Sequence, residues 1–202
     1  MRQTLTAVIG TLATMLALAG CGDRSDSAPE PTVQTAANGE AFNDADVTFA
    51  TDMIQHHAQA LAMVDQTIGR RLDPEVTSLA EDIRAAQGPE IEAMVDWLTD
   101  WEEPVPATMR DHTHADSGGH MSTEPDMPGM MTSEQMDELA AAKDADFQEM
   151  FLRMMIEHHE GAIEMAGDEE QQGAHRGAIR LARSIASSQA AEIERMQALL
   201  GS

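Results

Sequence analysis

The chain has 202 residues and a strongly acidic balance, 36 Asp and Glu against 12 Lys and Arg, for a formal net charge of −24. That argues against a nucleic-acid partner, whose phosphate backbone needs a basic face, and is compatible with cations as ligands. Tyr is absent and Phe and Trp are few, while Met reaches 16, so the methionine excess is the compositional feature that needs a cause.

Met1 and Arg2 make a short charged start, and residues 5–19 form an apolar run too short to be a good membrane span. Leu18-Ala19-Gly20-Cys21 then has the form of a lipobox. The pattern resembles a bacterial lipoprotein signal. That implies loss of residues 1–20, lipidation of the single cysteine, Cys21, and tethering to the cell membrane outside the cytoplasm. Residues 21–42, rich in Asp, Ser, Pro, Thr and Ala, have little to bury and are expected to form a disordered tether.

A first helix is expected over 43–68, started by Asn43 or Asp44. Its apolar stripe contains Phe49, Met53, Ala60, Met63 and Val64, with His56 and His57 flanking the centre. Gly69 ends it, and Asp73-Pro74-Glu75 starts a second helix that runs to about 101. Gly88-Pro89 should kink that helix just before Glu90. The crossover, 102–132, holds four of the eight prolines and reads as a loop. Thr132 and Gln135 have capping-box spacing, so a short helix should cover 133–142. A third long helix is expected over 146–165 or a little beyond, a turn at 168–173, and a fourth long helix over 175–200.

An offset of 102 residues carries Met53-Ile54-Gln55-His56-His57 onto Met155-Ile156-Glu157-His158-His159 without a gap. It also carries Phe49 onto Phe151, Leu79 onto Leu181, Gln87 onto Gln189, Glu90 onto Glu192 and Met94 onto Met196. The sequence therefore reads as a tandem repeat, 43–101 and 133–202. Each copy is a helical hairpin with one apolar face that it cannot bury alone. The expected fold is all-α: a four-helix bundle of two hairpins joined by a long Met/His-rich crossover, filling 43–202 as one domain.

Each hairpin places His, Gln and Glu where a bundle ordinarily wants Leu. A buried polar group without a partner costs about 1–3 kcal/mol, so two accounts compete. One is mutual hydrogen bonding, His56 or His57 to Glu90 and their counterparts to Glu192. The other is a metal held by His56, His57, His158, His159, Glu90 and Glu192, with Met53 and Met155 one helical turn from the histidines. Neutral imidazole with thioether sulfur suits copper better than calcium or magnesium. A di-iron site needs a Glu three residues before a ligating His, and those positions hold Met53, Ile54, Met155 and Ile156. Imidazoles within about 4–5 Å of each other would allow a shared ion, since metal–nitrogen bonds are near 2 Å. In the crossover, His112, His114, His120, Met121, Met127, Met130 and Met131 sit among Pro, Gly and Ser where no core is expected to use them, a set of soft ligands suited to metal capture.

The doubled Met-Ile-x-His-His stretches, Gln189-Ala190-Ala191-Glu192-Ile193 and Met127-Pro128-Gly129-Met130-Met131 resemble the bacterial family catalogued as domain of unknown function 305. The resemblance covers about 43–200. It implies a ferritin-like helical bundle, usually exported, with some members associated with copper binding and tolerance. Carried over residue by residue, the family's ligand positions fall on His56, His57, Met53, Met63, His158, His159, Met155 and Met165. Gln59 replaces a glycine common in the family, whereas the second copy keeps Gly161.

The leading expectation is a lipid-anchored, extracytoplasmic protein that binds copper, or another transition metal, and sequesters it or hands it on without catalysis. No protein partner is indicated. The alternatives are a ferritin-like metal-dependent oxidase using Glu90 and Glu192, and a structural or partner-binding bundle whose histidines only hydrogen-bond.

Overall fold

In the computed structural model, residues 32–109 and 127–201 are described. Cys21, His112, His114, His120 and Met121 lie outside them, as do the signal segment and residues 21–31 of the expected tether. The described residues all belong to one compact unit, Pro31–Ser202.

Among the described residues, four of the five helices begin at a capping side chain; the helix that follows Lys143 has none. The Asn43 side chain accepts from the Ala45 and Asp46 amides, and Asp46 accepts from the Asn43 amide, a capping box that opens α1 (Asp44–Asp65). Asp73 caps α2 (Pro74–Asp100), with proline at the first turn where its missing N–H costs nothing. Thr132 and Gln135 form the second capping box and open α3 (Ser133–Ala141). α4 (Asp144–Gln172) and α5 (Arg176–Leu200) complete the helices.

Three boundaries differ from expectation. α1 stops at Asp65 because the amides of Gln66, Thr67 and Ile68 reach only three residues back, and Gly69 turns the chain at φ +81°. α4 continues to Gln172, because the Glu- and Gln-rich stretch after Gly167 is good helix former and Glu169 is buried in the fold. The expected turn at 168–173 shrinks to residues 173–175, held by Asp46, whose carboxylate accepts from the Ala174 and His175 amides. The end of the expected tether is also folded. β1 (Gln34–Thr35) pairs antiparallel with β2 (Ala41–Phe42), Gln34 opposite Phe42. Phe42 stacks on Trp101 with ring centroids 4.8 Å apart. Composition could not reveal this, because Phe42 finds its apolar partner only in the folded state.

The four long helices form a bundle in which α1 packs on α2 and α4, and α5 packs on α4 and α2. Its interior falls into two apolar clusters. One holds Met63, Val64, Leu79, Ile83, Phe147, Phe151, Met155 and Met196; the other holds Phe49, Met53, Met94, Leu98, Ala162, Ala166 and Ile185. On every long helix the residues between these clusters are the polar ones: His56 and His57, Gln87 and Glu90, His158 and His159, Gln189 and Glu192. The bundle is thus crossed by one polar layer. Among the described residues no helix is long and apolar enough to cross a membrane.

Candidate metal centre

All four histidines of the layer are fully buried, each 0% exposed. Two make the same bond in the two halves of the chain: His57 Nε2 donates to Glu90 Oε2 at 2.8 Å, and His159 Nε2 donates to Glu192 Oε2 at 2.6 Å. The expected hydrogen-bonded pairs therefore exist, but they use one ring nitrogen of each histidine. The Nδ1 atoms of His57 and His159 have no hydrogen-bond partner. A histidine whose Nε2–H is held by a carboxylate while Nδ1 keeps its lone pair is oriented as a metal-ligating histidine is.

The other two histidines meet at the centre, where the His56 and His158 ring centroids are 3.7 Å apart with the planes tilted by 42°. The rings thus touch, and an ion shared between them would need them to turn apart. His56 Nε2 donates to the Pro128 carbonyl at 3.1 Å, leaving Nδ1 without a partner. Both ring nitrogens of His158 lack one. Burial lowers the His56 pKa to about 3, and the neighbouring His57 and His159 add to the shift against the opposing Pro128 carbonyl. Burial also pushes His158 well below the ordinary imidazole range, helped by the charges of His56, His159 and His57 and opposed by the His56 backbone. His56 and His158 are therefore neutral near pH 7, the form that ligates metals. Among the described residues, no three His, Cys, Asp or Glu side chains already form a metal cage, so an ion held here would need the rings to reorient or would recruit other donors.

The methionines expected beside the histidines flank the layer instead of entering it. Met53 belongs to one apolar cluster, with Met165 packed against it, and Met63 and Met155 belong to the other. Of the crossover residues, Met127 and Met130 are half-buried. Met131 departs from expectation: it is 1% exposed and packs in the cluster with Met63 and Met155. Its backbone is pinned by Gln59, which donates through Nε2 to the Met131 carbonyl at 2.8 Å and accepts from the Met131 amide at 2.7 Å. A loop residue held this way becomes core.

The glutamines expected in the stripe lie in the layer: Gln87 has both amide atoms buried and unpartnered, and Gln189 Oε1 is unpartnered as well. Two polar features of the fold were not anticipated. The Pro128 carbonyl is a backbone group, and no residue type announces its role. The other is away from the layer, where Glu169 is buried beside Asp46. Burial, then the hydrogen bond to Asp46 and its charge, push the Glu169 pKa up to about 9. A protonated Glu169 donates to Asp46, which also accepts the Asn43, Ala174 and His175 amides.

Residues 46–200 match the family model described as Domain of unknown function (DUF305). The chain belongs to the DUF305 family. Similar solved structures include a DUF305 protein from Streptomyces coelicolor, described as secreted, at 34% identity with TM-score 0.66, the match covering 78% of this chain and 92% of that one. A DUF305 fragment from Deinococcus radiodurans is 29% identical with TM-score 0.66, covering 83% and 99% of the two chains. CopM in its Cu(I)-bound form is 30% identical with TM-score 0.61, covering 76% and 94%, and CopM has also been solved with Cu(II) and with Ag bound. No curated protein matches the chain. The all-α bundle read from the sequence is thus the fold of the family, and the similar protein CopM has been solved with copper and with silver bound.

Proposed function

We propose that this DUF305 protein is an extracytoplasmic, lipid-anchored copper-binding protein that sequesters the ion or hands it on. The observation that carries this reading is the layer of four buried histidines, each keeping an unpartnered Nδ1, with His56 and His158 in contact. A bundle gains nothing in stability by burying four imidazoles with orphaned nitrogens, because each unmade hydrogen bond costs free energy. A soft or borderline metal ion would satisfy them, and the methionines on either side offer thioethers to an ion entering or leaving. The copper- and silver-bound forms of CopM support the choice of ion. The lipobox at Cys21 supports the anchor, and the soft ligands His112, His114, His120, Met121, Met127 and Met130 support a capturing arm in the crossover.

A second reading, a bundle whose histidines serve structure alone, is favoured by the His57–Glu90 and His159–Glu192 pairs. It leaves His158, Gln87 and the Nδ1 atoms without an account. An oxidase would want Glu90 and Glu192 as metal ligands, and here each accepts from a histidine.

The test is a Cu(I) titration of the purified protein against a competing chelator, beside a variant with His56, His57, His158 and His159 all changed to Ala. Tight binding in the parent that is lost in the variant is expected. Absence of tight binding in the parent, or its survival in the variant, would sink the assignment of the ion to this layer.

A further inference from the structure

The two copies of the hairpin differ at one pair of positions that face the same piece of chain. The 102-residue offset carries Gln59 onto Gly161, and both hold the end of the crossover. Gln59 clamps the Met131 backbone through two hydrogen bonds. At Gly161 the helix meets the crossover backbone to backbone: a Cβ there would run into the carbonyl of Pro128, and would lie 2.7 Å from Gly129 Cα. Gly129 makes the approach from its own side, at φ +73°, where a side chain would meet the Glu157 carbonyl at 2.6 Å. A side chain at 161 or a glycine at 59 would each remove one half of this seat.

The seated segment reaches the histidine layer. His57 and His159 have Glu90 and Glu192 to hold their Nε2–H groups, while His56 has the Pro128 carbonyl in the same role and its counterpart His158 has neither a carboxylate nor a crossover carbonyl. A single crossover supplies a single carbonyl, so the two halves of the layer are unequal. We infer that Gln59 and Gly161 are positioning residues of the metal centre: they seat residues 127–131 so that the Pro128 carbonyl fixes the His56 ring with Nε2 protonated and Nδ1 free for a soft metal ion.

This inference rests on the metal-binding reading above and adds a linkage to it. If docking of residues 127–131 strengthens metal binding, metal binding strengthens the docking by the same factor. The Met131 amide, whose hydrogen bond to Gln59 exists only in the docked state, reports that coupling.

The experiment uses Ag(I), a redox-inert stand-in for Cu(I), with the full chain and its Gln59→Leu and Gly161→Ala variants. Three quantities are read: Ag(I) affinity by competition, the His56 tautomer from imidazole nitrogen NMR shifts without metal, and hydrogen exchange at the Met131 amide of the unmodified chain with and without Ag(I). Loss of the outer hydrogen-bond partner of a ligating histidine typically weakens metal binding by about 10–100-fold, and a loss in that range is expected in both variants. The His56 signal should move from the Nε2-protonated tautomer toward a mixture while the His57 and His159 signals stay in place. Met131 exchange should slow when Ag(I) binds. Because exchange is measured on the unmodified chain, misfolding of a variant leaves that arm decisive. Tight Ag(I) binding by the parent with unaltered affinity and tautomer in Gln59→Leu, or Met131 exchange indifferent to Ag(I), overturns the inference alone. A parent chain that binds no Ag(I) tightly overturns the metal reading and the inference together.

Discussion

Glu169 shows how one side chain ties stability to pH. Its carboxyl is 1% exposed and holds its proton to about pH 9, against an ordinary value of 4.5. The folded state therefore binds this proton more tightly than the unfolded chain does. The resulting contribution to stability is complete below about pH 4.5 and is lost as pH rises through about 9. A glutamine at 169 keeps a donor for Asp46 without the titration. Urea unfolding at a series of pH values between about 5 and 9 should show stability falling with pH in the parent, and falling less in Glu169→Gln. Equal slopes would mean that Glu169 is already ionised in the fold. The same scale explains what the sequence concealed at the metal centre. His56, His57, His158 and His159 stood out as polar residues on an apolar stripe, and a pairing of His56 or His57 with Glu90 was expected. Which ring nitrogen is left free depends on Pro128, a carbonyl brought in from 72 positions away.

At the scale of elements, two glycines of α4 carry opposite expectations. Gly167 has nothing within 4 Å of where a Cβ would stand, so Gly167→Ala should stabilise the fold by about 0.5–1 kcal/mol, the helical advantage of Ala over Gly. Gly161 lies against the Pro128–Gly129 backbone, and Gly161→Ala should destabilise by about 1–3 kcal/mol, as overpacking does. Denaturant melts of both variants check the pair, and a stabilising Gly161→Ala would mean that the crossover does not rest on this helix. Three helix starts were legible because capping is local: Asn43, Asp73 with Pro74, and Thr132 with Gln135 mark them, whereas α4, which has no side-chain cap, starts two residues before the expected Asp146. Helix ends were less so. The extension of α4 past Gly167 depends on Glu169 and Asp46 meeting across the bundle, and the hairpin of β1 and β2 depends on Phe42 reaching Trp101. Met131 followed the same rule. It looked like a loop ligand because its neighbours are Pro and Gly, and it is core because Gln59 holds its backbone.

Across the whole molecule, the polar layer divides the interior into two apolar clusters, and the methionines of the Met-Ile-x-His-His stretches fall on opposite sides of it. This arrangement gives the methionine excess a physical role in either account, since thioethers fill a core well and also bind soft ions. What separates the accounts is whether an ion enters the layer. The most direct measurement is a crystal structure of the protein soaked with Cu(I) or Ag(I), with anomalous scattering to place the metal. The proposed function predicts a metal peak inside the layer, bonded to imidazole Nδ1 atoms of the His56, His57, His158 and His159 set, with the Glu90 and Glu192 hydrogen bonds to the histidines kept. Metal found only at surface sites, with the four rings as they stand without it, would contradict that function and leave a bundle whose histidines serve structure alone.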